Sequence, residues 1–252
     1  MISTIIYNGR AFSEFGVFAD LSHTLGSPEK DYDLISIPGR NGDLSIFNDK
    51  FKDIEFTVHC YIKKDFVQNY RNLIDFLNES HGYLRFETSK EPDYYREALF
   101  LGGVDPIVRP FNRNGSFDLA FRCHPQRWLK WAEEWIDATS EGTYTWTNEN
   151  PTNMPAKPRL QFRGNGTITF YGSGHIANAV ITVTNNASSY VEIDCETFDC
   201  YSESLGLITN RNADVSFNGD PELIPGENNV VYSTSYTGAE PVIQIMPRFF
   251  EI

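Results

Sequence analysis

Residues 35–62 read ISIPGRNGDLSIFNDKFKDIEFTVHCYI, and two kinds of local order meet in them. At the centre, Pro38 fixes its own φ and biases Ser36 and Ile37 toward extended backbone, while Gly39 and Asn41-Gly42 supply the positive φ values that tight turns require. Downstream, Ile54, Phe56, Val58 and Cys60 alternate with Glu55, Thr57, His59 and Tyr61. Such period-two alternation is the mark of a half-buried antiparallel strand. A turn cluster set between strand-like segments therefore predicts a β fold.

Upstream, Ile5-Ile6-Tyr7 is a short strand ending at Asn8-Gly9, and Phe15 to Phe18 is a second extended piece, a hairpin-like opening. Residues 27–33 read as a polar loop. Downstream the period changes. Phe66, Tyr70, Leu73, Ile74 and Leu77 recur at helical spacing behind Asp65, a candidate N-cap, and residues 78–82 hold the stop signals. This is the only helix predicted, and its apolar stripe is expected to pack on the sheet. Strands resume at 83–86, 98–101 and 116–123, where Phe117, Leu119 and Phe121 share one face; Asn112 to Gly115 form a turn.

All four tryptophans, Trp128, Trp131, Trp135 and Trp146, fall within 19 residues of one another. The spacing of the first three suits a helix, but the neighbouring TYTWT suits a strand, so residues 126–138 stay open between the two. Clustered tryptophan points more to an aromatic seam at a domain junction than to a sugar-stacking platform. Residues 148–158, NENPTNMPAKP, hold three prolines without periodicity and are the best linker candidate. The predicted organisation is thus a domain over 1–138, a junction over 139–158 and a second domain over 159–252. That last part reads as all-β, with short alternating segments at 167–171, 180–183, 191–195, 215–217, 230–232 and 242–246, the pattern of a sandwich or jelly roll.

The 252 residues carry 21 Lys+Arg against 34 Asp+Glu, a net charge of −13. Through Asp137 the balance is 16 − 21 = −5, and beyond it 5 − 13 = −8. Neither part has the basic excess that a sequence-independent grip on nucleic acid needs. The first residues lack the pattern of a signal peptide, and no apolar run reaches membrane-spanning length, so no membrane anchor is expected. In that setting Cys60, Cys123, Cys195 and Cys200 are expected as reduced core thiols, and the sequons at Asn78, Asn114, Asn165 and Asn186 as without consequence.

Candidate chemistry is thin. Glu192, Asp194, Glu196 and Asp199 suggest a glycosidase pair or a calcium site, but Glu192 and Asp194 alternate with Val191, Ile193 and Cys195, which predicts the solvated face of a strand. Cys195 and Cys200 with His175, or Cys123-His124, lack the paired spacings of structural zinc. Gly164-Asn165-Gly166 opens a strand instead of a helix and does not complete a dinucleotide fingerprint. Ser173 and His175 are turn neighbours, not a triad. No catalytic residue, metal site or cofactor is assigned.

Taken in order, IIYNG, FGVF, IPGRNGDL, KDIEFTVHCYI, GYLRFET, EPDYYREALF and GSFDLAFRCHP, then PAKPRLQFRGNGTITF, VEIDCETFDCY and DPELIPGENNVV, make the whole chain resemble the siphophage distal tail (Dit) proteins. The resemblance implies a mainly β chain: an N-terminal β-sandwich or split-barrel domain with one α-helix, and a C-terminal galectin-like β-sandwich of jelly-roll type. It further implies a non-enzymatic baseplate hub, assembled in the bacterial cytoplasm and located at the virion tail tip. There, six copies form a ring joined to the tail tube protein, to the tail-associated lysin or tail fibre and, in many phages, to receptor-binding proteins, with DNA only passing through the lumen. The 128–146 tryptophan segment is outside the pattern that carries the resemblance. On the hub reading, Arg40, Asn41 and Asp43 are expected at a subunit contact, because a polar turn with both charges can exchange charge-assisted hydrogen bonds with a neighbour. The competing reading is a carbohydrate-binding module for host cell-wall polysaccharide, with Tyr171 and Tyr190 among its few candidate aromatics. A glycosidase relying on Glu192 or Asp194 is a distant third.

Overall fold

The computed structural model describes residues 4–22, 26–108, 113–138, 142–148, 154–172, 177–184 and 190–252. The chain divides into two compact units, Met1–Arg127 with Ile252, and Trp128–Glu251. Both are built from antiparallel strands, and the chain adopts the mainly β class, with one α-helix among the described residues.

The first unit contains β1 (Ile5–Tyr7), β2 (Arg10–Ala11), β3 (Val17–Asp20), β4 (Lys30–Ile35), β5 (Leu44–Phe51) and β6 (Ile54–Ile62). Helix α1 (Phe66–Glu79) follows, then β7 (Leu84–Thr88), β8 (Glu91–Phe100), β9 (Ile107–Val108) and β10 (Gly115–Cys123). Its main sheet runs β2-β1-β7-β8-β10-β6-β3, with β9 added to β10. Strands β6 and β10 pair along their whole length, from Ile54 opposite Cys123 to Ile62 opposite Gly115. The alternation read from the sequence sets their faces: Val58, Cys60 and Ile62 enter the core with Phe117, Leu119 and Phe121, and Glu55, Thr57 and His59 stay outside. The opening hairpin is formed by β1 and β2 around Asn8 and Gly9, both at positive φ, whereas Phe15 belongs to a 3-10 turn, Phe12–Phe15.

Helix α1 buries Phe66, Leu73 and Leu77. Phe66 and Tyr70 meet the Phe117 ring at 6.2 and 5.1 Å, and Phe76 stacks on Phe15 at 5.4 Å. Phe66, Leu73 and Leu77 each contribute about 1.5–3 kcal/mol by leaving water. The helix sits close because residue 115 is glycine: a Cβ there would lie 2.6 Å from the Phe66 ring. Asp65 occupies the N-cap position without capping by its side chain. Its left-handed backbone, φ +52°, leaves only its carbonyl to accept the Asn69 N–H at 3.1 Å.

Past the boundary strand β11 (Arg127–Leu129) come a 3-10 turn (Lys130–Glu133), β12 (Ile136–Ala138) and β13 (Gly142–Asn148). Then follow β14 (Arg159–Arg163), β15 (Gly166–Tyr171), β16 (Ala177–Val183), β17 (Tyr190–Asp194), β18 (Cys200–Ser204), β19 (Leu207–Asn210), β20 (Val215–Gly219), β21 (Gly226–Thr234), β22 (Ile243–Met246) and β23 (Phe250–Glu251). Two sheets, β12-β22-β14-β17-β18-β19 and β13-β21-β15-β16-β20, enclose one core, with Leu160, Phe162, Val191, Ile193, Ile243 and Ile245 from one and Ile168, Phe170, Ile181, Val183, Val230 and Tyr232 from the other. This is an antiparallel β-sandwich. At Gly166 the strands run so close that a Cβ would lie 1.9 Å from the Ser233 carbonyl oxygen.

Two expectations change in this region. Residues 126–138 are neither a continuous helix nor a strand but two short strands around a 3-10 turn. Trp128 packs on Phe250 at 5.2 Å, the half-exposed Trp131 on Phe249 at 5.7 Å, and Trp146 joins the sandwich core that also holds Phe249. Within the expected junction 139–158, Gly142–Asn148 is a strand in register with β21, from Gly142 opposite Tyr232 to Asn148 opposite Gly226. Its alternation of threonine with Tyr144 and Trp146 suits a pleated, half-buried surface and prevails over the neighbouring prolines. The four cysteines are buried and free. Burial pushes the thiols of Cys60, Cys123 and Cys200 up to about 12, and Cys195 well above its ordinary value.

Candidate assembly surface

Residues 36–51 supply the tip and second strand of a two-stranded ribbon, β4 paired with β5, which hydrogen-bonds to no other sheet among the described residues. At its tip the Arg40 N–H donates to the Ile37 carbonyl at 3.1 Å, with Pro38 and Gly39 (φ +81°) between them, the residue order of a type II turn. Register is set by Ile35 opposite Leu44 and Tyr32 opposite Phe47, with an irregularity between Lys30 and Tyr32. Residues 27–33, expected as a polar loop, thus supply most of β4. The alternation is short, Asp31-Tyr32-Asp33-Leu34, and the charges of Lys30, Asp31 and Asp33 make the segment read as polar.

Those charges staple the base of the ribbon. Asp31 pairs with Lys50 at 3.1 Å and accepts from Asn48 Nδ2 at 3.4 Å, and the Lys50 hydrogen bond leads the causes holding its carboxyl below the usual range. Lys52 approaches Glu29 at 3.8 Å, and its N–H donates to the Glu29 carbonyl at 2.8 Å. Exposed ion pairs of this kind fix register more than they stabilise. Tyr32 and Phe47 lie 5.3 Å apart, with the Lys30 ammonium 5.6 Å from the Phe47 ring.

Directly opposed residues of an antiparallel pair share a face. Tyr32, Leu34 and Phe47 therefore occupy one face of the ribbon, and Ile35, Leu44 and Ile46 the other. Apolar surface is open on both: Leu34 is 67% exposed and Ile46 46%, while Tyr32, Ile35, Ile37 and Leu44 are also exposed. A two-stranded hairpin is marginal by itself, and contiguous apolar exposure of this kind marks an interaction surface. Arg40, Asn41 and Asp43 stand together in the tip, all exposed, with no side-chain hydrogen bond or ion pair among the described residues.

A second hairpin, which the sequence reading missed, lies in the second unit. β18 and β19 pair from Tyr201 opposite Asn210 to Ser204 opposite Leu207, leaving Leu205 (φ +52°) and Gly206 (φ +78°) as a two-residue turn of type I′ character. Leu205 is fully exposed, and Leu207 and Ile208 are 70% and 67% exposed. The signal available was the Gly206 punctuation between CYSES and LITN, but neither flank alternates apolar with polar residues.

The acidic run beside it is structural. Glu192 keeps the half-exposed side of its strand, accepting from Gln161 Nε2 at 3.3 Å and from the Tyr201 hydroxyl. Asp194 departs from the predicted solvated face and is only 5% exposed. The strand ends there, and the side chain turns in to hold the following loop, accepting from the Glu196 N–H at 2.9 Å and from Arg159 Nε at 2.9 Å, with Arg248 Nη1 at 3.5 Å. Burial alone would raise the Asp194 carboxyl, but the Arg159 and Glu196 hydrogen bonds and the Arg248 charge prevail and hold it below the usual range. Arg248 also pairs with Glu196 at 2.8 Å. Ser173 and His175 lie outside the described residues, as does Asn112 of the predicted turn.

No protein-family profile and no curated protein sequence matches the chain. Its structure is similar to the crystal structure of the phage SPP1 Dit (gp 19.1) protein, described as a paradigm of the hub adsorption apparatus in phages infecting Gram-positive bacteria: the TM-score is 0.69 at 11% identity, over 100% of this chain and 99% of that one. It is also similar to a chain of the phage p2 baseplate in its activated, Sr-containing conformation, with a TM-score of 0.53 at 8% identity, over 93% of this chain and 98% of that one. The likeness runs from end to end, and the chain has a Dit-like fold.

Proposed function

We propose that this protein is a structural distal tail protein, the baseplate hub of a long-tailed, non-contractile bacteriophage. The observation that carries the reading is the fold it shares over its whole length with the SPP1 hub protein. On this reading six copies close into a ring through the first unit, and the second unit faces outward. The ring joins the tail tube protein to the tail-associated lysin or fibre and to receptor-binding proteins, and the acidic chain lets DNA pass without adhering. The molecule is made in the host cytoplasm, works at the virion tail tip and has no catalytic task.

The β4–β5 ribbon is the subunit contact of this proposal. A ring interface is heterologous, so each copy offers a projecting element and a different surface to receive it. A ribbon apolar on both faces is suited to be covered on both, and Arg40, Asn41 and Asp43 at its tip have free hydrogen-bonding capacity for a neighbour. Native mass spectrometry with negative-stain imaging of the full chain, alone and with tail-tip partners, tests it. The expected result is a six-membered ring that Leu34→Ser with Ile46→Ser dissolves into folded monomers. A monomer under every condition sinks the proposal.

A further inference from the structure

We propose that the β18–β19 hairpin is a docking edge for an extended, basic segment of a different protein, with Leu205 as the apolar peg. The starting point is an outlier. Leu205 combines a left-handed backbone with complete exposure, at a turn position that favours Asn, Asp or Gly. Neither property serves the fold of this chain, and an apolar group kept in that state points outward to a receptor.

The strand behind it is built to receive a partner. Among the described residues β19 ends its sheet, so one edge of Leu207–Asn210 carries backbone groups with no partner strand there. Edge strands are commonly guarded by lysine, proline or a bulge. Here the four residues are Leu-Ile-Thr-Asn, all exposed, and the register with β18 is unbroken. The base of the hairpin is pinned: Arg211 Nε donates to Ser202 Oγ at 3.1 Å, Arg211 Nη1 meets Asp214 at 3.1 Å, and the Cys200 N–H donates to Asn212 Oδ1 at 2.6 Å. A pre-ordered edge loses little freedom when a strand adds to it.

Charge selects the occupant. Glu203 lies opposite Ile208 and shares its face with Tyr201 and Glu192. Glu203 makes no ion pair among the described residues. Beyond Asp137 the chain has only 5 Lys+Arg against 13 Asp+Glu, so a second copy would set acid against acid. A strand alternating basic and apolar residues matches both the carboxylate and the open apolar side chains.

The test uses the full chain and three acetylated, amidated probe peptides: alternating Lys and Val, alternating Glu and Val, and the Lys/Val peptide N-methylated at each Val. Anisotropy titration and hydrogen exchange should show that the Lys/Val peptide alone binds and slows exchange across Leu207–Asn210. Leu205→Asn, which suits the turn, should weaken that binding about tenfold while raising the thermal midpoint, and Glu203→Lys should turn the preference toward the Glu/Val peptide. Equal binding of the Glu/Val or N-methylated peptide, unaltered exchange in β19, or a lowered midpoint with unchanged affinity in Leu205→Asn overturns the proposal. So does a concentration-dependent dimer that Leu205→Asn abolishes, which would make a second copy the occupant. None of these readouts depends on ring formation.

Discussion

The two exposed hairpins solve opposite problems with the same means. In β4–β5 the apolar side chains run along both faces between an ion-paired base and a polar tip, around a turn whose Pro and Gly meet its backbone demands without strain. In β18–β19 the polar hydrogen bonds gather at the base and a single leucine stands at the tip, in a backbone state leucine disfavours. The first arrangement suits a ribbon covered along its length; the second suits a peg entering a receptor. What separates them is where the unfavourable feature is kept: over the broad faces in one, at a single residue in the other.

Three leucines in three settings sharpen this contrast. Leu73 is fully buried on the inner face of α1, so Leu73→Ala should lower the stability of the first unit by about 2–5 kcal/mol, measured by chemical unfolding. A loss below about 1 kcal/mol would mean that the helix is loosely seated and that burial does not distinguish the core from the hairpins. Next in size is Asp194→Asn, expected to cost the second unit about 1.5–3 kcal/mol at neutral pH, the range for hydrogen bonds to charged groups. A larger figure is not expected, because Arg159 is itself 37% exposed.

The same carboxylate sets a pH dependence. Its folded pKa is depressed, so its contribution is complete above the unfolded aspartate value of about 3.9 and is lost as pH falls through the lower folded value. Unfolding midpoints should therefore fall below about pH 4, and Asp194→Asn should flatten that acid limb. A variant with the same acid limb as the parent chain would place the titration elsewhere.

Smaller still, Leu205→Asn should stabilise by up to about 1 kcal/mol, since Asn tolerates the left-handed state that leucine resists. At the bottom of the scale, Leu34→Ser or Arg40→Ala should leave the unfolding of the single chain within about 0.5 kcal/mol of the parent, because neither side chain is buried. Their effect should appear in the assembly state alone. If Leu34→Ser instead unfolds the monomer, the ribbon belongs to the fold and the contrast with Leu73 collapses.

Much of this architecture was legible in the residues. The alternation of β6 and β10, the helical stripe of α1 and the apolar segments of the sandwich each declare a face, because one side of the element meets the core and the other meets water. The Pro-Gly turn was visible too, but β4 was not, since its alternation spans only Asp31 to Leu34 and neither face of the ribbon is buried. For the same reason β19 escaped notice. Asp194 was misplaced because a strand's last residue can leave the pleat, and only the positions of Arg159 and Arg248 decide which way its side chain turns.

The sequence by itself determined the mainly β class, the helix over α1, the turn at Pro38-Gly39 and the lack of a basic excess in either part of the chain, all of which follow from local periodicity, turn chemistry and charge. Tertiary structure alone decided that β13 belongs to the sandwich, that Asp194 is buried, and that two hairpins expose their apolar side chains. Each of these depends on which strands pair and where a sheet ends, and such relations join residues far apart in the chain that no local pattern connects.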